Sequence, residues 1–317
     1  MYEVVVVGAG QLGSRYIQGL RKVILPLSIS VVDPSVSSLD KARALWDDAP
    51  EDVLHHKIRW FSDLSSLPSK IDVAIISTTA KHRCEIVEAI ASEHLVQYWV
   101  LEKVLAQSTQ QLERMRDSLE SSEGSWVNTP RRLMSWHQML KAEFSSSFPI
   151  HFNRKGSDWG LACNSIHFID LIAWWTGESV KSIDVSGLEK NWHHGKRLGY
   201  YEIFGSLAVE FSSGSTLLLN ACADSVDSGI DVFSNQKNWN IDEAKGHAIS
   251  SCGQEIFGRL ELQSEMTERL ITQILTTGTC ELPTYTVSLP MHMLLVDQLL
   301  YHWNEVNNLT DSILPIT

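Results

Sequence analysis

The sequence predicts an α/β chain in two parts: a doubly wound parallel sheet over residues 1–128, then an α/β domain with an open, largely antiparallel sheet over residues 129–317. Three observations predict it. An apolar run at residues 4–7 breaks into Gly8-Ala9-Gly10-Gln11-Leu12-Gly13 and then into an amphipathic stretch at 14–23. Strand-like and helix-like segments alternate up to residue 128, the pattern of a parallel sheet built from crossover units. Beyond that point strand-like runs follow one another with turn residues between them and few helices, as in an antiparallel sheet.

The elements follow in order. Residues 25–32 read as a second strand ending in Asp33, and residues 37–48 as a helix with Leu39, Ala42, Leu45 and Trp46 at helical spacing. A short strand is predicted at 58–61 and a buried one at 71–76. A helix at 82–91 has Ile86, Val87, Ala89 and Ile90 on its apolar face, and a strand follows at 96–101. A helix at 108–121, capped by Ser108 or Thr109, and a strand at 125–128 complete the first part. In the second part a helix at 161–175 stops at Thr176-Gly177. Lys155 and Trp159 read as members of a Gly-containing loop just before it. Strands are predicted at 180–185, 201–211, 216–221 and 230–233, with a hairpin turn at Ser212-Ser213-Gly214-Ser215, and helices at 262–275 and 289–304.

Composition narrows the function classes. The 317 residues are 44% hydrophobic and 20% charged, which argues for globular domains and against extended disorder. A formal net charge of −12 disfavours nucleic acid or an anionic membrane as partner and leaves small molecules as the better expectation. The five cysteines are widely spaced and form no C-x-x-C pair, which suggests reduced thiols in a cytoplasmic protein. Met1 leads directly into the first strand, so no signal peptide is expected, and no apolar run is long enough to span a bilayer. The histidine pairs His55-His56 and His193-His194 lack the spacing of helical metal ligands and read as loops, so no metal site is expected.

The glycine run has the setting of a dinucleotide-binding fingerprint, and the first part accordingly reads as a Rossmann domain. Gly8 relieves the turn after the strand, Gly10 lets backbone approach a pyrophosphate, and Gly13 lets the helix pack closely on the sheet. The helix N-terminus at Gln11 and Leu12 then offers N–H groups and partial positive charge to phosphate. Asp33 stands 20 residues after Gly13, where a carboxylate accepts hydrogen bonds from an adenosine ribose and repels a 2′-phosphate. NAD is therefore favoured over NADP as cofactor.

Further along, Val100-Leu101-Glu102-Lys103-Val104-Leu105-Ala106 resembles the Glu-Lys-Pro strand end of the glucose-fructose oxidoreductase, inositol dehydrogenase and MocA family, with Val104 in place of proline. Ile76-Ser77-Thr78-Thr79 resembles that family's Ala-Thr-Pro segment, again without the proline. Asn128-Thr129-Pro130-Arg131-Arg132 resembles its Asn-x-x-Arg-Arg segment, and residues 163–170 its Asp-x-Gly-x-His-x-x-Asp helix, with His167 and Asp170 retained and Cys163 in place of the first Asp. The resemblance covers most of the chain. It implies hydride transfer between NAD and a secondary alcohol or ketone of a sugar-like substrate, in sugar or surface-polysaccharide metabolism, by a homodimer or homotetramer.

On that resemblance Lys103 stabilises charge on the substrate oxygen and His167 exchanges the hydroxyl proton. Ser77, Thr78, Thr79 and Glu102 are grouped with the cofactor contacts. Cys163, Asn164, Arg131, Arg132, Lys155 and Trp159 are the candidate substrate contacts. Elementary chemistry adds its own reading. Cys163, His167, Asp170 and Trp174 share one helix face. Arg131 and Arg132 suit a carboxylate or diphosphate clamp, or else pair with internal acids. Asp170 reads mainly as a structural partner. A thiol at 163 is a poor proton acceptor, and because Val104 and Cys163 replace two residues associated with catalysis in the resembling enzymes, a non-catalytic NAD-binding regulator stays open beside the dehydrogenase; the resemblance also leaves open an NAD-assisted elimination or hydrolysis. The consecutive leucines 217–219 suggest that the second sheet has a face to cover by self-association.

Overall fold

A computed structural model describes residues 1–48, 56–144, 148–224, 226–234 and 237–317; His55 lies outside the described residues. In chain order the elements are β1 (Tyr2–Val7), α1 (Gln11–Leu20), β2 (Leu27–Val32), α2 (Val36–Asp47), β3 (Lys57–Phe61) and β4 (Lys70–Ile76). Then come α3 (Ala80–Glu93), β5 (Leu95–Glu102), α4 (Thr109–Leu119) and β6 (Gly124–Asn128). A 3-10 turn (Pro130–Leu133) leads to α5 (Ser135–Phe144), β7 (Ile150–Ser157), α6 (Leu161–Thr176), β8 (Val180–Leu188), β9 (His193–His194) and β10 (Tyr201–Glu202). The rest are β11 (Gly205–Phe211), β12 (Thr216–Cys222), β13 (Gly229–Ser234), β14 (Trp239–Asp242), β15 (His247–Ser250), β16 (Glu255–Phe257), α7 (Gln263–Thr277) and α8 (Tyr285–Asn307).

Two compact units divide the chain. One consists of Met1–Ala106, Gln110–Asn128 and Glu261–Thr286, the other of Gln107–Thr109, Thr129–Leu260 and Val287–Thr317. The segment Glu261–Thr286, expected with the second part, thus belongs with the first. Its helix α7 lies against α1, where Gly19 removes the side chain that would obstruct them: a Cβ there would stand 2.5 Å from Thr267 Cβ. Its tail then hydrogen-bonds β6, with Val127 N–H donating to the Pro283 carbonyl. None of this is visible in a helical period, because a glycine on an apolar helix face carries no hydropathy signal.

The first unit is a six-stranded, all-parallel sheet in the order β3-β2-β1-β4-β5-β6, the doubly wound Rossmann arrangement. Val4 to Val7 of β1 are at most 4% exposed, as the centre of a sheet covered on both faces requires. The order reverses between β1 and β4, so the carboxyl ends of these strands frame the crevice in which such sheets hold ligands.

The second unit carries an eight-stranded sheet in the order β16-β15-β14-β13-β7-β12-β11-β8, antiparallel throughout except for the β7–β12 pair. One face is packed by α6, through Phe168 and Trp175 against Phe152 of β7. Strand β7, expected to be loop, is a central strand. Its even-numbered residues face α6, but that row runs Ile150, Phe152, Arg154, Gly156, and the apolar alternation stops halfway. The expected strand 201–211 is divided at Gly205, whose φ of +107° suits glycine alone. The expected hairpin at Ser212 to Ser215 is present between β11 and β12. Of the three leucines expected to need cover, Leu217 and Leu219 are buried on the α6 face and only Leu218 points outward, because a strand alternates its side chains. No helix among the described residues is long and apolar enough to cross a membrane.

Candidate functional site

In the first unit the glycine turn is built by steric exclusion. Gly8 has φ +97°, and a Cβ on it would stand 3.0 Å from the Thr78 nitrogen. A Cβ on Gly13 would stand 1.8 Å from the Gly8 carbonyl oxygen, so the helix start is pressed directly onto the turn. A Cβ on Gly10 would meet nothing within 4 Å. The exposed residue Gly10 therefore borders open space, while Gly8 and Gly13 make the turn close. Helix α1 starts there with no side-chain cap and no acidic residue in its first turn, which leaves its dipole end at Gln11 and Leu12 available to an anion.

Neighbouring side chains lock this turn. Asp33 accepts the Ala9 N–H at 2.7 Å and the Ser35 N–H at 2.8 Å, which holds its half-buried carboxylate beside the turn with lone pairs still available on both oxygens. Ser77, expected among the cofactor contacts, instead donates its hydroxyl back to the Gly8 carbonyl at 2.7 Å and buttresses the turn. Thr78 and Thr79 lie next to it, half-buried, at the start of α3. The buried Thr78 Oγ1 has no hydrogen-bond partner among the described residues. Lys103 follows β5 at the carboxyl edge of the sheet, half-exposed, and its peptide bond to Val104 is cis. Buried Arg83 ties this edge together by donating to the carbonyls of Thr78, Val104 and Leu105.

Glu102 is a correction to the cofactor list. It is 3% exposed and accepts hydrogen bonds from Tyr16 Oη and Asn128 Nδ2, each at 2.6 Å. Burial pushes its carboxyl above the usual range, against the opposing pull of those two donors and of Arg83 and Lys103. Glu102 joins α1 to β5 and β6 from inside. Neither Tyr16 nor Asn128 carried a spacing that announced this.

In the second unit α6 begins at Gly160, with φ +77°, and Glu202 of β10 caps it by accepting the Ala162 N–H at 2.8 Å and the Cys163 N–H at 3.4 Å. Cys163, Asn164, His167 and Trp174 form the half-exposed stripe of this helix, whereas Asp170 is 1% exposed. Asn164 donates to the Trp159 carbonyl at 2.7 Å, which folds the preceding loop over the helix start. Asp170 receives a bidentate Arg132 at 2.6 and 2.9 Å and the Thr129 hydroxyl at 2.7 Å.

Arg131 likewise makes a bidentate pair with Glu243, at 2.8 and 2.9 Å, and His137 contacts the same carboxylate at 3.2 Å. Burial would raise the Glu243 carboxyl, but Arg131 and His137 outweigh it and hold it well below the usual range; burial keeps His137 below the usual imidazole value. The substrate clamp expected of Arg131 and Arg132 is therefore not formed. Both forks are filled by internal carboxylates, because two neighbouring buried guanidinium groups need local counter-charge.

Lys155 is also displaced from its expected role. Odd-numbered residues of β7 face away from α6, so Lys155 is exposed on the other side of the sheet, and Arg154 takes the inward position. The Arg154 guanidinium lies 4.5 Å from the Trp159 ring centre and 4.8 Å from that of Phe168. Trp159 itself is half-buried and donates its indole N–H to the Asn220 carbonyl at 2.9 Å. The sequence reading missed Arg154. The alternation at Ile150 and Phe152 is the signal that places it on the inner face.

His193 and His194 form the short strand β9, with His193 stacked on Phe204 at 4.1 Å, and among the described residues no group of three or more His, Cys, Asp or Glu side chains is placed to hold a metal ion.

The two sheets and their order define the class by fold: a Rossmann domain joined to an open, mostly antiparallel α/β unit. Solved structures of dehydrogenases share it. An oxidoreductase from Agrobacterium radiobacter, in complex with NAD+, L-tartaric acid and magnesium, matches with a TM-score of 0.70 at 14% identity, over 93% of this chain and 94% of that one. The WlbA dehydrogenase from Bordetella pertussis, with NADH and UDP-GlcNAcA, matches with a TM-score of 0.68 at 14% identity, over 97% and 96%. The scyllo-inositol dehydrogenase from Lactobacillus casei, with NAD(H) and scyllo-inositol, matches with a TM-score of 0.66 at 13% identity, over 96% and 97%. No protein-family model matches the chain, and no curated protein matches it in sequence.

Proposed function

We propose that the chain is an NAD-dependent oxidoreductase acting on a secondary alcohol or ketone of a sugar-like substrate, of the glucose-fructose oxidoreductase, inositol dehydrogenase and MocA type. The observation that carries this reading is the open space at Gly10 beside the uncapped start of α1, with Asp33 held at the turn. The chemistry of these groups fits the cofactor. Backbone N–H groups at Gln11 to Gly13 suit a pyrophosphate, and the Asp33 carboxylate suits the hydroxyls of an adenosine ribose. Thr78 and Thr79 would border the nicotinamide ribose. When bound, NAD supplies the hydride acceptor or donor.

The remaining steps belong to this chain's own side chains. Lys103 donates to the substrate oxygen and stabilises the negative charge that builds on it. His167 takes the hydroxyl proton in oxidation and returns it in reduction. Cys163, which stands where the resembling enzymes carry an acid, makes no claim on that proton. Support for the substrate class comes from the fold neighbours crystallised with an inositol or a nucleotide sugar.

The test is nicotinamide absorbance of the purified protein with NAD and a panel of sugars, polyols and sugar acids. Lys103→Ala and His167→Ala are each expected to lower kcat by at least about 100-fold, with NAD affinity unchanged. Full turnover in both variants overturns the assigned roles, and failure to bind NAD overturns the class. We assign the protein to the cytoplasm, which suits its free thiols. A homodimer or homotetramer would form through the outer face of the second sheet, where Phe233 and Ile249 are exposed. A monomer in sedimentation at micromolar concentration refutes the oligomer alone.

A further inference from the structure

The inner face of the second sheet carries a cation in a row of apolar residues. Arg154 pairs in register with Leu219 on one side and Ile230 on the other, both at most 1% exposed. An inward position flanked in this way ordinarily holds an apolar side chain, because a half-buried charge is costly unless an opposite charge meets it. Here none does. Its Nε is buried without a hydrogen-bond partner, and among the described residues no ion pair reaches its guanidinium, which rests only on the Trp159 and Phe168 rings.

The surrounding charges sharpen the count. Arg131, on the same Phe168 ring at 4.4 Å, is consumed by its bidentate pair with Glu243. His137 is held toward its neutral form by burial. Two guanidinium groups therefore share one carboxylate, and the cluster is one negative charge short. Phe168 directly follows His167 in α6, and Asn164, one turn earlier, holds the Trp159 carbonyl. The uncompensated fork thus lies against the buried face of the helix stretch assigned to substrate chemistry.

We propose that Arg154 binds the carboxylate of an acidic sugar, so that the substrate is a sugar acid and not a neutral polyol. This rests on the oxidoreductase reading for the sugar class and for the helix stretch, while binding of the acid is tested apart from turnover. A planar guanidinium matches a carboxylate through two parallel hydrogen bonds, and one missing charge calls for a monoanion. A phosphate monoester would carry nearly two. The two rings keep the fork oriented, and the half-buried Trp159 is the one with apolar surface left for a sugar ring.

The NAD-loaded full-length protein is titrated by calorimetry with a panel of hexuronates and hexonates, their neutral sugars and hexose 6-phosphates. At least one acid is expected to bind ten or more times more tightly than its neutral counterpart and its phosphate. Arg154→Met should weaken that acid by about 100-fold, with the neutral sugar unchanged. Arg154→Lys, which keeps the charge without the fork, should fall between the two. Thermal melts accompany both variants; an unpaired cation replaced by an isosteric apolar side chain should leave the melting temperature unchanged or raised. The proposal is overturned if no acid binds, if a neutral sugar or phosphate binds as well as every acid, or if both variants bind like the parent. Arg154-dependent acid binding without nicotinamide reduction upholds it and condemns the oxidoreductase reading instead.

Discussion

Each unit buries a carboxylate, and the two are held in opposite ways. Glu102 in the first unit sits among neutral donors, Tyr16 and Asn128, and burial lifts its carboxyl above the usual range. Glu243 in the second sits between Arg131 and His137, and although burial pushes in the same direction, these two neighbours drive it well below that range. The difference separates two ways of preparing a binding surface. The first unit works through small residues, backbone N–H groups and neutral hydrogen bonds, and leaves open space at Gly10 beside the helix start. The second works through internal ion pairs that match Arg131 to Glu243 and Arg132 to Asp170, and leaves the half-buried Arg154 without an ion pair among the described residues.

The sharpest break in this comparison is Glu243→Gln. Removing the one carboxylate strands Arg131 beside Arg154, and the expected loss is about 3–5 kcal/mol of stability, read by chemical denaturation. Next in size is Gly13→Ala. Its Cβ collides with backbone, not with a movable side-chain tip, so a loss of about 1–3 kcal/mol is expected together with loss of NAD binding by titration. The smallest effect is that of Glu102→Gln, within about 1 kcal/mol, since a neutral amide still accepts from a donor and removes a buried charge.

The two carboxylates also give opposite pH slopes. Glu243 has a lowered folded value, so its contribution is complete above the ordinary glutamate range and is lost as pH falls through the lowered one. Glu102 has a raised folded value, so the native state takes up a proton first and its burial cost is relieved as pH falls. Melts of the parent and Glu102→Gln should therefore converge on acidification, while Glu243→Gln should lose its deficit only at the acid extreme. Parallel curves for both variants would show that neither carboxylate is shifted.

Much of the first unit was legible in its residues. The turn from Gly8 to Gly13, the strand into Asp33 and the alternation of strand and helix are local patterns, and local patterns are enough when a sheet is parallel and covered on both faces. In the second unit the helix that carries His167 was legible, and so were strands with a local apolar pattern, such as β11 with Leu207, Val209 and Phe211 at every second position. Strand β7 escaped because Arg154 and Gly156 occupy inward positions that packing alone would give to apolar side chains. The same interruption that hid the strand marks the residue assigned to substrate.

By itself, then, the order of residues determined the glycine turn, the acidic residue that follows it, the two classes of sheet and the helix that carries His167, because each depends on neighbours a few positions apart. Only the tertiary structure decided that Arg131 and Arg132 are spent on Glu243 and Asp170, that Glu102 points inward, that Lys155 faces away from α6 and that Arg154 faces it. Those outcomes turn on which charges meet across more than a hundred residues of chain, as Arg131 and Glu243 do, or on the parity of a strand whose register is set by its partners.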